Sequence, residues 1–294
     1  MVRRFLIAAV VIAAASDIAA AQTQRRQRTP EERAAAAKQQ YEEEAAKPRP
    51  IAAHDTVWIE EMTYLEARDA IKAGKTTGLI FAGSTEQNGP YLPGSKHQHI
   101  LRVVADSIAR KLGNALVAPI VPIEAGNPDD PYLNWGSFYL TRETFQAVIR
   151  DIATSLKSQG FTHIILMGDS GGDTAGLRAV AQELSAKWAG SPVIVHVPEF
   201  YNWTSPGGVR QFVADNGIPE KLNSDGIHDE YGLTAPLMAI DPTLVRLEQR
   251  VEAGKTTING VSIVPKEKTI EMGRKILEFR INNGVAAIKK AIGQ

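Results

Sequence analysis

Gly83-Ser84-Thr85-Glu86-Gln87-Asn88-Gly89-Pro90-Tyr91-Leu92-Pro93-Gly94-Ser95-Lys96-His97-Gln98-His99 follows the apolar run Gly78 to Ala82 and precedes a helical pattern that starts near Ile100. A strand, a turn rich in glycine and proline, and then a helix form the unit from which α/β proteins are built. The turn at the strand's carboxyl end is where such proteins place chemistry. Glycine and proline fix an irregular backbone path here, and Glu86, Lys96, His97 and His99 supply one carboxylate, one ammonium and two imidazoles. Such groups can converge on a metal or a substrate. The plainer alternative is a turn whose polar side chains face water.

The same unit recurs downstream. Thr162 to Met167 reads as a short apolar strand running into Gly168-Asp169-Ser170-Gly171-Gly172-Asp173, after which Leu177, Val180, Ala181 and Leu184 mark a helix. The glycine spacing fits neither a dinucleotide fold nor a phosphate loop, and Asp169 and Asp173 would repel an anion. Ala115 to Val121 and Pro192 to Val197 read as further strands. Helices are expected from the capping box Thr63-Tyr64-Leu65-Glu66 to Gly74, from Ile100 to Leu112, from Thr141 to about Gln159, from Asp241 to near Gly254, and from Lys266 to Arg280. Strands alternating with helices predict a mainly parallel sheet covered on both faces, a three-layer α/β/α domain over residues 51–294. Between these elements, Pro122 to Leu140 is a long loop, and Pro198 to Ile227, with Tyr201 and Trp203, reads as a lid or pocket wall. His228-Asp229-Glu230 follows as a dense run of potential ligands.

The N-terminal residues are of another kind. Arg3 and Arg4, an apolar run from Phe5 to Ala15 and the end Ala19-Ala20-Ala21 predict a secretory signal peptide over residues 1–21, too short in its apolar part to span a bilayer easily. The expected location is therefore secreted or periplasmic, with no stable membrane span after processing. Residues 22–50 lack an apolar stripe and read as a disordered or solvated helical leader, with Thr29-Pro30-Glu31-Glu32 as a capping box. The 33 Lys and Arg balance the 33 Asp and Glu, so no global field favours nucleic acid. With no cysteine, the chain has neither disulfides nor thiolate ligands nor a cysteine nucleophile.

Gly83 to Pro93 resembles the signature of the creatininase (creatinine amidohydrolase) family, whose usual form is G-S-T-E-Q-H-G-P-H-L-P. Trp58 to Gly74 resembles its first helix, Gly136 to Leu140 its G-T-i-s-l segment, Gly168 to Asp173 its N-G-H-G-G-N turn, and His228 to Met238 its H-A-G-E-x-E-T-S-L-M stretch. The resemblance implies an α/β/α fold, homo-oligomers that are often hexameric, and one or two divalent metals that hydrolyse cyclic or linear amide C–N bonds. Carried over by position, Glu86 is kept at a metal-ligand position. The motif's first His is Asn88, the second is Tyr91, and the Asp that bridges two metals is His97. In the glycine turn the ligand His is Ser170 and the closing Asn is Asp173. In the late motif His228 is kept, and Tyr231 stands at an acidic position.

An imidazole nitrogen has one lone pair and does not bridge metals as a carboxylate does, so His97 argues against a two-metal centre. A single Zn or Mn ion is the expectation, with Glu86 and His97 joined by Asp169 or Asp173 and by His228 or Glu230. The set favoured is Glu86, His97, Asp169 and His228, with Glu230 or Asp173 as general base and with Trp135, Tyr201, Trp203 and Ser170 around the substrate. The reading that follows is an exported metal-dependent hydrolase of a small amide, assembled as a homo-oligomer. Its competitor is a catalytically inactive protein that keeps the pocket and binds a small ligand or partner. A serine hydrolase using Ser170 lacks the usual G-x-S-x-G spacing.

Overall fold

The computed structural model describes residues 29–222 and 224–293, so the expected signal peptide lies outside the described residues. The chain divides into two compact units, one ending at Ala52 and one beginning at Ala53. In the first, helix α1 spans Pro30–Ala46 and is started by the expected capping box, in which Thr29 and Glu32 bond each other's backbone amides. None of its residues is buried, as its lack of an apolar stripe requires.

The second unit is an α/β domain. Its elements in order are α2 (Tyr64–Lys72), β1 (Thr77–Ala82), α3 (Lys96–Leu112), β2 (Ala115–Val117), α4 (Arg142–Ser158), β3 (His163–Gly168), α5 (Asp173–Trp188) and β4 (Val193–His196). They are followed by α6 (Val209–Asp215), α7 (Tyr231–Ile240), α8 (Leu247–Glu252), the two-stranded ribbon β5 (Thr257–Ile258) and β6 (Val261–Ser262), and α9 (Lys266–Ala291). The four long strands form one parallel sheet in the order β2-β1-β3-β4.

Strand alternation divides the core. Leu79 and Phe81 of β1, with Ile165 and Met167 of β3, join the cluster built by α3, α7 and α9. Their neighbours Ile80, Ala82, Ile164 and Leu166 join the cluster built by α4 and α5. Each fully buried aliphatic side chain contributes roughly 1.5–3 kcal/mol, so both faces must stay covered for the sheet to persist. The expected three-layer α/β/α architecture is therefore present.

Several elements differ from the sequence reading for identifiable reasons. The second strand ends at Val117, and Val121 returns only as an isolated bridge to Ala82. The helix expected from Asp241 is broken into a 3-10 turn, Pro242–Val245, and α8, because Arg246 adopts a left-handed conformation with φ 56°. Helix α9 continues past Arg280 to Ala291, its buried stripe extended by Ile281, Gly284 and Ile288. Helix α7 escaped notice because it is buried nearly all round and so lacks the polar face that betrays a helix.

The sheet order sets the position of the site. From β1 the chain crosses to β2 on one side, whereas β3 and β4 lie on the other, so β1 and β3 flank a topological switch point. The register pairs Ala82 with Gly168, and the Asp169 amide donates to the Ala82 carbonyl at 2.8 Å. Both glycine-rich turns therefore leave the sheet side by side at its carboxyl edge.

Candidate functional site

The first turn is held by its own side chains. Asn88 Nδ2 donates to the Glu86 carbonyl at 2.8 Å and to the Pro93 carbonyl at 2.9 Å, closing the loop across its prolines. Gly89 has φ +39°, and a Cβ there would run into the Asp229 carboxylate, so the late segment packs directly on the turn's backbone. Lys96 and His97 open α3 and are turned inward, both buried.

A chain of charged groups runs from this turn across the switch point. Lys96 Nζ lies 2.8 Å from Glu86 Oε1 and also donates to Asn88 Oδ1. His97 lies between two carboxylates, Nε2 2.9 Å from Glu86 Oε1 and Nδ1 2.9 Å from Asp169 Oδ2. The Asp169 carboxylate is in turn bonded by Arg280 of α9. On the far wall, Glu230 accepts from Trp203 Nε1 at 2.9 Å and pairs with Arg210, its closest approach 2.5 Å. Ser170 Oγ donates to Glu124, which also accepts the Gly172 amide at 3.2 Å.

Burial and pairing set the charges. Burial works against ionisation of Glu86, but the His97 bond and the Lys96 ammonium outweigh it and hold the carboxyl well below the usual range. Burial likewise opposes the charge on Asp169, yet Arg280 and His97 prevail and lower it. His97 is the counterpart: burial disfavours its imidazolium, and the Asp169 and Glu86 bonds overcome that and raise it. Burial lowers Lys96, with Glu86 opposing. Glu124 has only neutral hydrogen-bond partners among the described residues; burial raises it, the Ser170 bond partly offsets this, and the Glu86 charge adds to it. Asp173 is fully buried, neither carboxyl oxygen has a geometric hydrogen-bond partner among the described residues, and burial with the nearby Glu124 and Asp169 pushes it up to about 9.

These groups surround a cavity of about 340 Å³. Glu86, Lys96, His97, Glu124, Asp169, Ser170, Tyr201, Trp203, Arg210, His228 and Glu230 all contribute to its wall. The structure thus brings together Glu86, His97, Asp169, His228, Ser170, Tyr201, Trp203 and Glu230 from the residues singled out in the sequence. Two others are corrected. Trp135 does not line the cavity and is 99% exposed, because its loop carries it outward to solvent. Asp173 lies behind the wall and carries its proton at neutral pH, so it cannot act there as a general base. Glu230 is on the wall, but its carboxylate is engaged by Arg210 and Trp203. Glu124, Arg210 and Arg280 were not anticipated. Glu124 had a signal, since it ends the apolar run Val121-Pro122-Ile123 that returns beside β1.

This is an α/β/α domain with a charged pocket at the switch point of a parallel sheet. The family model for creatininase (creatinine amidohydrolase) matches residues 60–289. The chain belongs to the creatininase family. Among solved structures, one creatinine amidohydrolase (creatininase) is similar at 21% identity and TM-score 0.58, over 81% of this chain and 98% of that one. The Mn form of creatininase matches at 21% identity and TM-score 0.59, over 80% and 98%. A putative creatinine amidohydrolase from Bacteroides fragilis matches at 18% identity and TM-score 0.55, over 81% and 97%. At these identities the likeness establishes the fold. No curated protein matches the chain significantly.

Solved creatininases include a Zn-Zn type and an Mn form, so the fit of such ions to this chain is a direct question. The side chains do not fit one. Among the described residues no three His, Asp or Glu side chains are arranged to hold a metal. Both His97 nitrogens are engaged by carboxylates, and Glu86, Asp169 and Glu230 are each paired with a cation of the chain itself. His228 Nδ1 stands 3.4 Å from Glu86 Oε1 and 3.4 Å from the Gln87 carbonyl, so the expected fourth ligand faces an oxygen already bonded twice.

Proposed function

We propose that this protein hydrolyses the C–N bond of a small linear or cyclic amide in the switch-point pocket, with Glu124 as general base. One observation carries the reading. Of the wall carboxylates, Glu86, Asp169 and Glu230 are neutralised by cations, whereas Glu124 is held by a hydroxyl and a backbone amide and has raised proton affinity. A carboxylate fixed in this way can take a proton from water as the water oxygen bonds to the amide carbon. It returns that proton to the nitrogen as the C–N bond breaks, giving a carboxylic acid and an amine. Tyr201 and Trp203 supply flat walls suited to a small planar substrate.

The test is a panel of small amides, lactams, cyclic ureides and creatinine incubated with the full chain and followed by proton NMR. Cleavage of at least one class is expected. Binding without cleavage in every class would instead favour a catalytically inactive family member. That second reading is supported by the same internal neutralisation, since three of the four wall carboxylates are committed to ion pairs.

Export and self-assembly belong to the same proposal. The order of charge, apolar run and Ala-rich end at the N-terminus supports export. Exposed Tyr132, Trp135 and Phe138 on one loop support burial against another copy of the chain. N-terminal sequencing of exported protein and light scattering on the purified chain test the two points.

A further inference from the structure

We infer that the site works without a divalent metal, the Lys96 ammonium supplying the fixed positive charge at its centre and offering one N–H to the bound ligand. Lys96 Nζ sits between Glu86 Oε1 and Asn88 Oδ1, donating to both, with only 2% of the residue exposed. An ammonium has three donors. Two are used, and Lys96 forms part of the pocket wall, so one remains for an electronegative atom inside the pocket.

The surrounding charges close the case against an added ion. Glu86 is matched by Lys96, Asp169 by Arg280 and Glu230 by Arg210, while His97 bridges two of these carboxylates. A divalent ion would bring two further positive charges into a balanced, buried network. Its charge would also stand beside the Lys96 and His97 groups already gathered on Glu86 Oε1. The offered N–H would bond a carbonyl oxygen if the amide reading above holds, and that part of the inference rests on it.

The experiment uses the full chain and no turnover assay, so failure of the amide reading leaves its result intact. The protein is dialysed against Zn²⁺-buffered and separately against Mn²⁺-buffered solution, analysed for metal, and titrated with each ion by calorimetry. No stoichiometric ion and no binding heat are expected; one or two firmly held ions per chain would overturn the inference. A double-mutant cycle examines Lys96 itself. Lys96→Met should lower the melting temperature by stranding Glu86, and adding Glu86→Gln should recover part of that loss because no unmatched charge remains. Should Lys96→Met alone fail to fold, a foldable double variant shows the same coupling. Strictly additive losses would overturn the role given to Lys96, and the parent's metal content decides the rest whether or not either variant folds.

Discussion

Arg280, in the middle of the last helix, closes on the Asp169 carboxylate at the end of β3, joining two positions 111 residues apart. Both are almost completely buried, so this ion pair ties α9 to the pocket floor rather than decorating the surface.

Removing one partner of a buried pair strands the other, typically at a cost of about 3–5 kcal/mol. Arg280→Leu should therefore unfold at markedly lower urea concentration than the parent, with Arg280→Leu/Asp169→Asn recovering part of the loss. Asp169 has a lowered folded-state pKa, so the stability it contributes is present above the ordinary Asp value and is lost as pH falls through the folded one. The urea midpoint of the parent should decline on the acid side, and Asp169→Asn should flatten that decline. An Arg280→Leu variant as stable as the parent would refute the pairing.

Asp173 gives the opposite sign. Its pKa is raised from 3.8 to about 9, so the folded chain holds a proton that the unfolded chain has released. Stability from this group is greatest below pH 3.8 and is lost progressively as pH rises toward 9. Asp173→Asn removes that dependence. Its melting temperature relative to the parent should rise steadily between pH 5 and pH 8, and a constant difference would show that Asp173 ionises normally.

Helix packing supplies a third expectation. Gly273 of α9 lies so close to α7 that a Cβ would enter the Ala235 carbonyl, and neither backbone can easily retreat. Gly273→Ala should cost about 1–3 kcal/mol through overpacking, despite the better helix propensity of alanine. Chemical denaturation measures it, and a stabilised variant would mean the two helices can separate freely.

The leader provides a control. Because α1 buries no residue, deleting residues 1–50 should leave the melting temperature of the remaining domain unchanged. A fall of many degrees would mean that the segment packs on the domain or on another copy.

How far the sequence could be read follows from these residues. The strand-turn-helix units around Glu86 and Asp169 were legible because short continuous apolar runs and glycine punctuation are local signals, and the sheet order then forces the two turns together. The partners were not legible. Arg280 looks like an ordinary charge on an amphipathic helix and Arg210 like one on a long loop, and only the fold shows that they turn inward to carboxylates. Lys96 was visible as an ammonium in the same turn as Glu86, but nothing local distinguishes a solvated lysine from one that occupies the centre of a site. Trp135 failed for a related reason: an aromatic residue in a long loop is equally consistent with a pocket wall and with an exposed tip.

Glu124 also predicts a pH profile. A base must be deprotonated to act, and burial raises this carboxyl, so the acid limb of kcat/KM should lie above the range of an ordinary glutamate. Rates measured across pH on whichever amide is cleaved give the limb directly. A limb at or below the ordinary value would assign the base elsewhere.

The most direct test of the account is the turnover of Glu124→Gln on a cleaved amide, beside the parent, with circular dichroism to establish that both are folded. The substitution keeps size and hydrogen bonding while removing the base, so kcat should fall by about 10²–10⁴ with KM little changed. A folded Glu124→Gln protein that turns over at the parent rate would contradict the account.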